Sequence, residues 1–313
     1  MKRSKITILL AIVLGMTFHS CLDLEPQDQL GGKNMWTSVN DYKQFANTFY
    51  SWTRDFSSVV YDGTHSDKRS DLITYQSYNE FSRGINSIPS SDANYTDNYK
   101  HIRRTNLLLQ NAEAYAKPED IKQYIGEAYF FRAYSYFDLL QLYGDVIITK
   151  KPLDITDPEM KVKRNDRSEV VDLIIDDLNH AVENLPAFKE LTTEEEGRIS
   201  KEGAQAFLSR VALYEGTWQK SRNGNQNTQR SANLLDIAAK AARTVIDAKY
   251  GYTFRLFGTD SETKILGDSA QKYMFILENE KSNPAGIKKS SNHEYIFARR
   301  HDQVLASIGK NIT

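Results

Sequence analysis

IKQYIGEAYFFRAYSYFDLLQLY, residues 121–143, holds eight of the 35 aromatic residues of the chain and no proline. On a helical period Tyr124, Ala128, Phe131, Ser135, Leu139 and Leu142 form one apolar stripe. Ile125, Tyr129, Ala133, Tyr136, Leu140 and Tyr143 form a second beside it. The remaining face (Gln123, Glu127, Phe130, Tyr134, Asp138, Gln141) is polar with aromatics mixed in. A helix apolar around most of its girth needs neighbours on at least two sides. At about 23 residues it could span a bilayer by length, but Lys122, Glu127, Arg132 and Asp138 argue against that. Gly144 follows where a left-handed C-cap is wanted. The stretch reads as the central helix of an all-α core.

The flanking sequence supplies its partners. A helix is expected over 93–116, carrying Tyr99, Ile102, Asn106, Leu109 and Ala112 in succession. Pro118, Glu119 and Asp120 then suit a helix start, and so short a turn makes this helix an antiparallel neighbour of the central one. Residues 145–166 read as extended. Asp166 with Glu169 forms a capping box opening a helix over 168–185, stopped by Pro186. Past an acidic loop at 192–197, Ser200 is the expected N-cap of the next helix. The polar loop SRNGNQNTQR (221–230) separates that helix from one over 234–248. Upstream, Ser38 with Asp41 marks a further capping box, before Tyr42, Phe45, Phe49 and Trp52 on one face. Small residues at Gly126, Ala128, Ala204, Ala238 and Ala242 suit close packing. The fold class is therefore mostly α: tetratricopeptide-like antiparallel helix pairs with long loops and a few short strands, the strands expected at 272–277 and 294–298.

Composition narrows the function. With 40 Lys plus Arg against 41 Asp plus Glu among 313 residues, no basic excess points to nucleic acid. Cys21 is the only cysteine, which excludes an intrachain disulfide and cysteine-based metal sites. Residues 1–20 combine Lys2, Arg3 and Lys5 with an apolar run from Ile6 to Phe18, the pattern of a secretory signal peptide. A small residue directly before Cys21 resembles a bacterial lipobox, although His19 stands where a small residue is usual. Cleavage there removes three of the 40 basic residues, leaving 37 against 41, a charge near −4. Cys21 would become the lipidated first residue, and its fatty chains would anchor the protein to a membrane. Residues 21–35 then read as a tether, 36–250 as a helical domain, and 251–313 as the loop-rich start of a second half.

Six segments in order resemble the SusD/RagB family of Bacteroidetes outer-membrane nutrient-binding lipoproteins. They are Cys21 with LDLEP, YKHIRRTNLLL (99–109), YIGEAYFFRAYSYFDLLQLYGDVII (124–148), RSEVVDLIIDDLNHAVENLP (167–186), GRISKEGAQAFLSRVALYEG (197–216) and HEYIFARR (293–300). Tyr95 stands where the family usually has Trp, and Ile147 where Pro usually follows Gly-Asp-Val. Family members run on well past residue 313, so the resemblance implies an N-terminal portion or a truncated member. It further implies a cell-surface protein that captures oligosaccharides and passes them to a SusC-like TonB-dependent transporter.

Capture needs flat apolar rings for sugar C–H faces and fixed polar partners for hydroxyls. The long loop region 52–80 offers both, in Trp52, Tyr61, Asp67, Arg69, Tyr75 and Tyr78. The same rings could instead pin that loop to the helices. No cofactor is called for, and no Walker loop, dinucleotide fingerprint or G-x-S-x-G appears. His293-Glu294 lacks the second histidine of a zinc-binding helix, and Glu194-Glu195-Glu196 reads as a solvated loop. The expectation is therefore a non-enzyme. The competing reading is a helical-repeat protein-interaction scaffold of the outer membrane with no sugar ligand.

Overall fold

The computed structural model describes residues 35–54, 84–85, 87–195, 197–222, 228–277 and 279–298. Among them seven α-helices follow in order: α1 (Val39–Asn47), α2 (Ala93–Glu113), α3 (Lys122–Tyr143), α4 (Arg167–Asn184), α5 (Lys201–Arg222), α6 (Thr228–Ile246) and α7 (Ala270–Tyr273). None of the described helices is long and apolar enough to cross a membrane.

The central helix α3 has no exposed residue along its length. Both apolar stripes are covered, and so is much of the face that reads as polar: Glu127 is wholly buried and Phe130 nearly so. Its neighbours are α2 on one side and α4 on the other, both antiparallel. The start of α2 meets the end of α3, where the Tyr143 hydroxyl donates to Asp92 Oδ2 at 2.6 Å. In α4 the order reverses again: Arg132 of α3 reaches Asp177, while Gly126 lies against Asn184 and Leu185. A Cβ on Gly126 would sit 2.9 Å from Leu185 Cγ and 3.0 Å from its backbone nitrogen, so only glycine permits this approach. The pattern continues through α5, whose Glu215 faces Arg167 at the start of α4. It ends with α6, packed through Gly216 against Leu234 and Leu235. The main packing thus runs between helices adjacent in sequence, with α1 lying across α2 and α3. This is the stacked-pair architecture expected from the sequence.

Buried ion pairs fix the register of the stack. Arg132 donates through Nε (2.8 Å) and Nη2 (2.6 Å) to the two oxygens of Asp177, and through Nη1 to Asn106 Oδ1 (2.8 Å). Asn106 in turn donates to the carbonyls of Thr149 and Lys151. Burial opposes charge on Arg132, and the Asp177 carboxylate outweighs it, so the guanidinium pKa lies above its ordinary value. Arg198, in the loop before α5, makes a bidentate pair with Glu127, both bonds 2.8 Å. Arg167 holds Glu215 and lies 4.4 Å over the Trp218 ring. Trp218, with Arg222 also over it, is a packing residue at the end of α5.

Tyrosines bury their rings and use their hydroxyls to hold irregular backbone. Tyr99 donates to the Ile147 carbonyl at 2.8 Å, and Tyr136 accepts from the Thr149 N–H at 2.8 Å. With Asn106 they fasten the extended stretch after Gly144, whose only ladder contact among the described residues is an isolated bridge between Val146 and Asn165. Tyr50 accepts the Ile199 N–H at 3.0 Å.

The capping boxes form as the sequence indicates, Ser38 with Asp41 and Asp166 with Glu169. Ser200 Oγ accepts the Gly203 N–H, and Gly144 ends α3 at φ 72°. Two expectations are corrected. No β-strand forms among the described residues at 272–277 or 294–298; instead 270–273 is the helical turn α7. Leu266, Ala270 and Leu277 there close on Phe257 and Ile287 in a small second apolar cluster. Helix α6 also starts at Thr228, six residues before the expected Leu234, because Arg230 anchors that first turn to the Ser168 carbonyl and Asp172.

The end of α6 yields a stability prediction. The Lys249 N–H reaches the Thr244 carbonyl and the Ala248 N–H reaches that of Val245, closing a Schellman motif. Its left-handed position is filled by Ala248 at φ 52°, where a Cβ is disfavoured. Ala248→Gly should therefore raise the unfolding free energy by about 1 kcal/mol. Urea titration checks this, and a variant no more stable than the parent refutes it.

Candidate functional site

The sequence places the candidate site where the chain leaves the helical stack after α1. The helix passes into a 3-10 turn, Thr48–Trp52, which lays Phe49 and Trp52 on α3 and carries the chain out at Arg54. Trp52 is half-buried. Its ring stacks on His101 of α2 at a centroid distance of 4.1 Å, and it meets Phe49 and Phe131 at 4.8 and 5.9 Å. One face of the indole is therefore taken by the imidazole. Beside it Arg54 pairs with Asp138 of α3, and Arg104 lies 4.5 Å over Phe45 while donating to Thr48 Oγ1. The structure thus packs one face of Trp52 against α2 and the ring also against Phe49 and Phe131, two residues before Arg54. Tyr61, Asp67, Arg69, Tyr75 and Tyr78 lie outside the described residues, as do Cys21 and the whole of 1–34.

Burial pulls the His101 pKa down to about 4 against an ordinary 6.5; Asp97 opposes the shift, and Arg104 and Lys100 add to it. A histidine held neutral in the fold is protonated more readily once unfolded. Its contribution is therefore intact above pH 6.5 and is lost as pH falls from there toward 4. Allowing for the ring's partial exposure, the loss is roughly 1–2 kcal/mol. His101→Phe, which keeps a stacked ring, should flatten this part of the stability–pH curve measured by urea unfolding. Parallel curves for variant and parent would contradict it.

The buried carboxylates Glu127, Asp177 and Glu215 are each engaged by an arginine, which commits them to architecture. Among the described residues no group of three or more His, Cys, Asp or Glu is placed to hold a metal ion.

A family model described as SusD-like, "Starch-binding associating with outer membrane", matches residues 22–213. The chain belongs to the SusD-like family. It is 28% identical to SusD-like protein P38 of Formosa agariphila over 68% of this chain and 42% of that protein. It is 26% identical to SusD-like protein P2 of the same organism, over 94% of this chain and 59% of that protein. In fold it is similar to the crystal structure of a SusD-like protein from Bacteroides fragilis. The TM-score is 0.61 at 22% identity, over 89% of this chain and 48% of the other. The chain thus spans about half the length of the SusD-like proteins it matches. The long helices α2 to α4 and most of α5 fall inside the matched range, with the Arg132–Asp177 and Arg198–Glu127 pairs, while Glu215, the partner of Arg167, lies just beyond it.

Proposed function

We propose that this SusD-like chain works as a cell-surface lipoprotein that captures oligosaccharides and passes them to a SusC-like TonB-dependent transporter. The observation that carries the reading is the match over residues 22–213 to a family described as starch-binding and associating with the outer membrane. The domain plan read from the sequence goes with this proposal: a signal peptide at 1–20, lipidation at Cys21, a tether to residue 35, a helical body over 36–250, and a loop-rich segment over 251–313. The chemistry is consistent. Capture asks for rings and fixed hydroxyl partners and for no acid, base or nucleophile. Trp52, Tyr61, Asp67, Arg69, Tyr75 and Tyr78 supply those groups from one stretch rooted in the aromatic core.

Calorimetry of the full-length protein against starch oligosaccharides and a panel of plant and host glycans tests the proposal. Binding to at least one glycan is expected, weakened about tenfold or more by Tyr75→Ala or Tyr78→Ala, since each lost stacking ring is worth roughly 1–2 kcal/mol. Silence across the panel from a folded protein would instead support a helical scaffold for protein partners.

A further inference from the structure

Away from the Trp52 region, a cleft of about 350 Å³ opens between the α4–α5 connection and the chain leaving α6. It is lined by Ala187, Lys189, Glu190, Lys201, Ala248, Lys249, Tyr250 and Gly251. Three lysines and one glutamate leave the lining with two net positive charges. Glu190 is already engaged, its Oε2 accepting the Ala187 N–H at 2.8 Å. None of Lys189, Lys201 and Lys249 pairs with a carboxylate among the described residues, whereas Lys100, Lys122, Lys151, Lys240 and Lys288 each do.

Backbone geometry brings the three together. The left-handed Ala248 turns the chain at the end of α6, and Gly251, at φ 87°, turns it again. A Cβ on Gly251 would come within 2.5 Å of Lys189 Nζ, so the absent side chain leaves room for the ammonium. Lys201 Nζ stands 5.9 Å from the centroid of the Tyr250 ring, whose hydroxyl accepts from Gln205 Nε2 at 3.1 Å. The ring is thereby fixed in the wall beside Lys201, with Lys189 and Lys249 also lining the cleft. Unpaired ammonium groups converging on a concave surface favour an anion, and the fixed aromatic ring suits the C–H face of a sugar.

We propose that this cleft holds the anionic substituent of an acidic oligosaccharide, a carboxylate or a sulfate ester, on Lys189, Lys201 and Lys249, with the sugar ring against Tyr250. The proposal deepens the glycan-capture reading and rests on it for the sugar, while the anion site can be probed alone. In the full-length protein, inorganic sulfate should shift the Tyr250 ring resonances saturably. The shift should vanish in the triple variant Lys189→Gln/Lys201→Gln/Lys249→Gln, whose exposed or half-exposed positions leave the fold intact by circular dichroism. Absence of a saturable shift overturns the site. Tetragalacturonic acid and a sulfated chondroitin tetrasaccharide, compared with neutral maltotetraose, then test the ligand class. At least one acidic tetrasaccharide should bind more tightly than maltotetraose, and lose about tenfold or more in the triple variant or in high salt. The carboxylate and sulfate arms show which anion is preferred. Equal binding of neutral and acidic sugars, unchanged in the variant, overturns the proposal. Sulfate binding with no response to any oligosaccharide overturns the sugar half and counts against glycan capture itself.

Discussion

Arg132→Ala should lower the unfolding free energy by about 3–5 kcal/mol, because it leaves the Asp177 carboxylate, 1% exposed, buried without its partner. The loss propagates. Asn106 Oδ1 loses the Arg132 Nη1 donor, and Asn106 is what pins the carbonyls of Thr149 and Lys151. An apolar replacement of both partners, Arg132→Met with Asp177→Leu, removes the two charges together and should recover most of the loss. A deficit of about 1 kcal/mol should remain from the unsatisfied Asn106 oxygen. A double-mutant cycle by chemical denaturation measures all three terms. An Arg132→Ala protein within 1 kcal/mol of the parent would show that the pair is not what holds α3 and α4 in register.

Phe131→Ala should cost a comparable 3–5 kcal/mol, through packing rather than charge. Phe131 is fully buried. Its ring meets Tyr50 at 4.9 Å, Phe130 at 5.2 Å, Phe49 at 5.7 Å, Trp52 at 5.9 Å and Tyr134 at 6.4 Å. Three of those rings belong to the turn that follows α1, so truncation should also free the root of the candidate site and change Trp52 fluorescence. Phe275→Ala is the control: that ring is 68% exposed, and its loss should stay within about 0.5 kcal/mol. Similar destabilisation by both substitutions would mean that the aromatic cluster around α3 has no special weight.

What the sequence discloses and what it conceals divide along physical lines. Residues 121–143 are legible because so much aromatic surface on a helical period has few alternatives to a central helix. The capping boxes are legible because both partners lie within four residues. Glu127 is not: read locally it sits on a polar face, and its partner Arg198 is 71 positions away. The first turn of α6 escapes for the same reason. Thr228, Gln229 and Arg230 carry no apolar period, and a tertiary bond from Arg230 to the Ser168 carbonyl helps hold them helical. The run Lys272–Leu277 looks like a strand only because so short an apolar-rich run cannot distinguish a strand from a helical turn with one buried anchor, here Leu277. At the candidate site, Trp52 is visible as a flat ring, but its stacking on His101, 49 residues on, is a property of how α1 lies across α2. The lysine cleft leaves no local motif at all, since Lys189, Lys201 and Lys249 meet only after two helices have reversed direction.

The tyrosine hydroxyls that grasp main-chain groups set the order in which pieces can come loose. Ile147 and Thr149 are tethered by Tyr99 and Tyr136, which belong to two different helices. That segment should therefore loosen together with the α2–α3 pair, despite lacking a regular ladder among the described residues. Amide exchange along 147–151 should accordingly track the slow exchange of the two helices rather than the fast exchange usual for extended surface chain. Irregular shape and local rigidity coexist here, and a ligand or partner meeting this stretch finds a contour already fixed before contact.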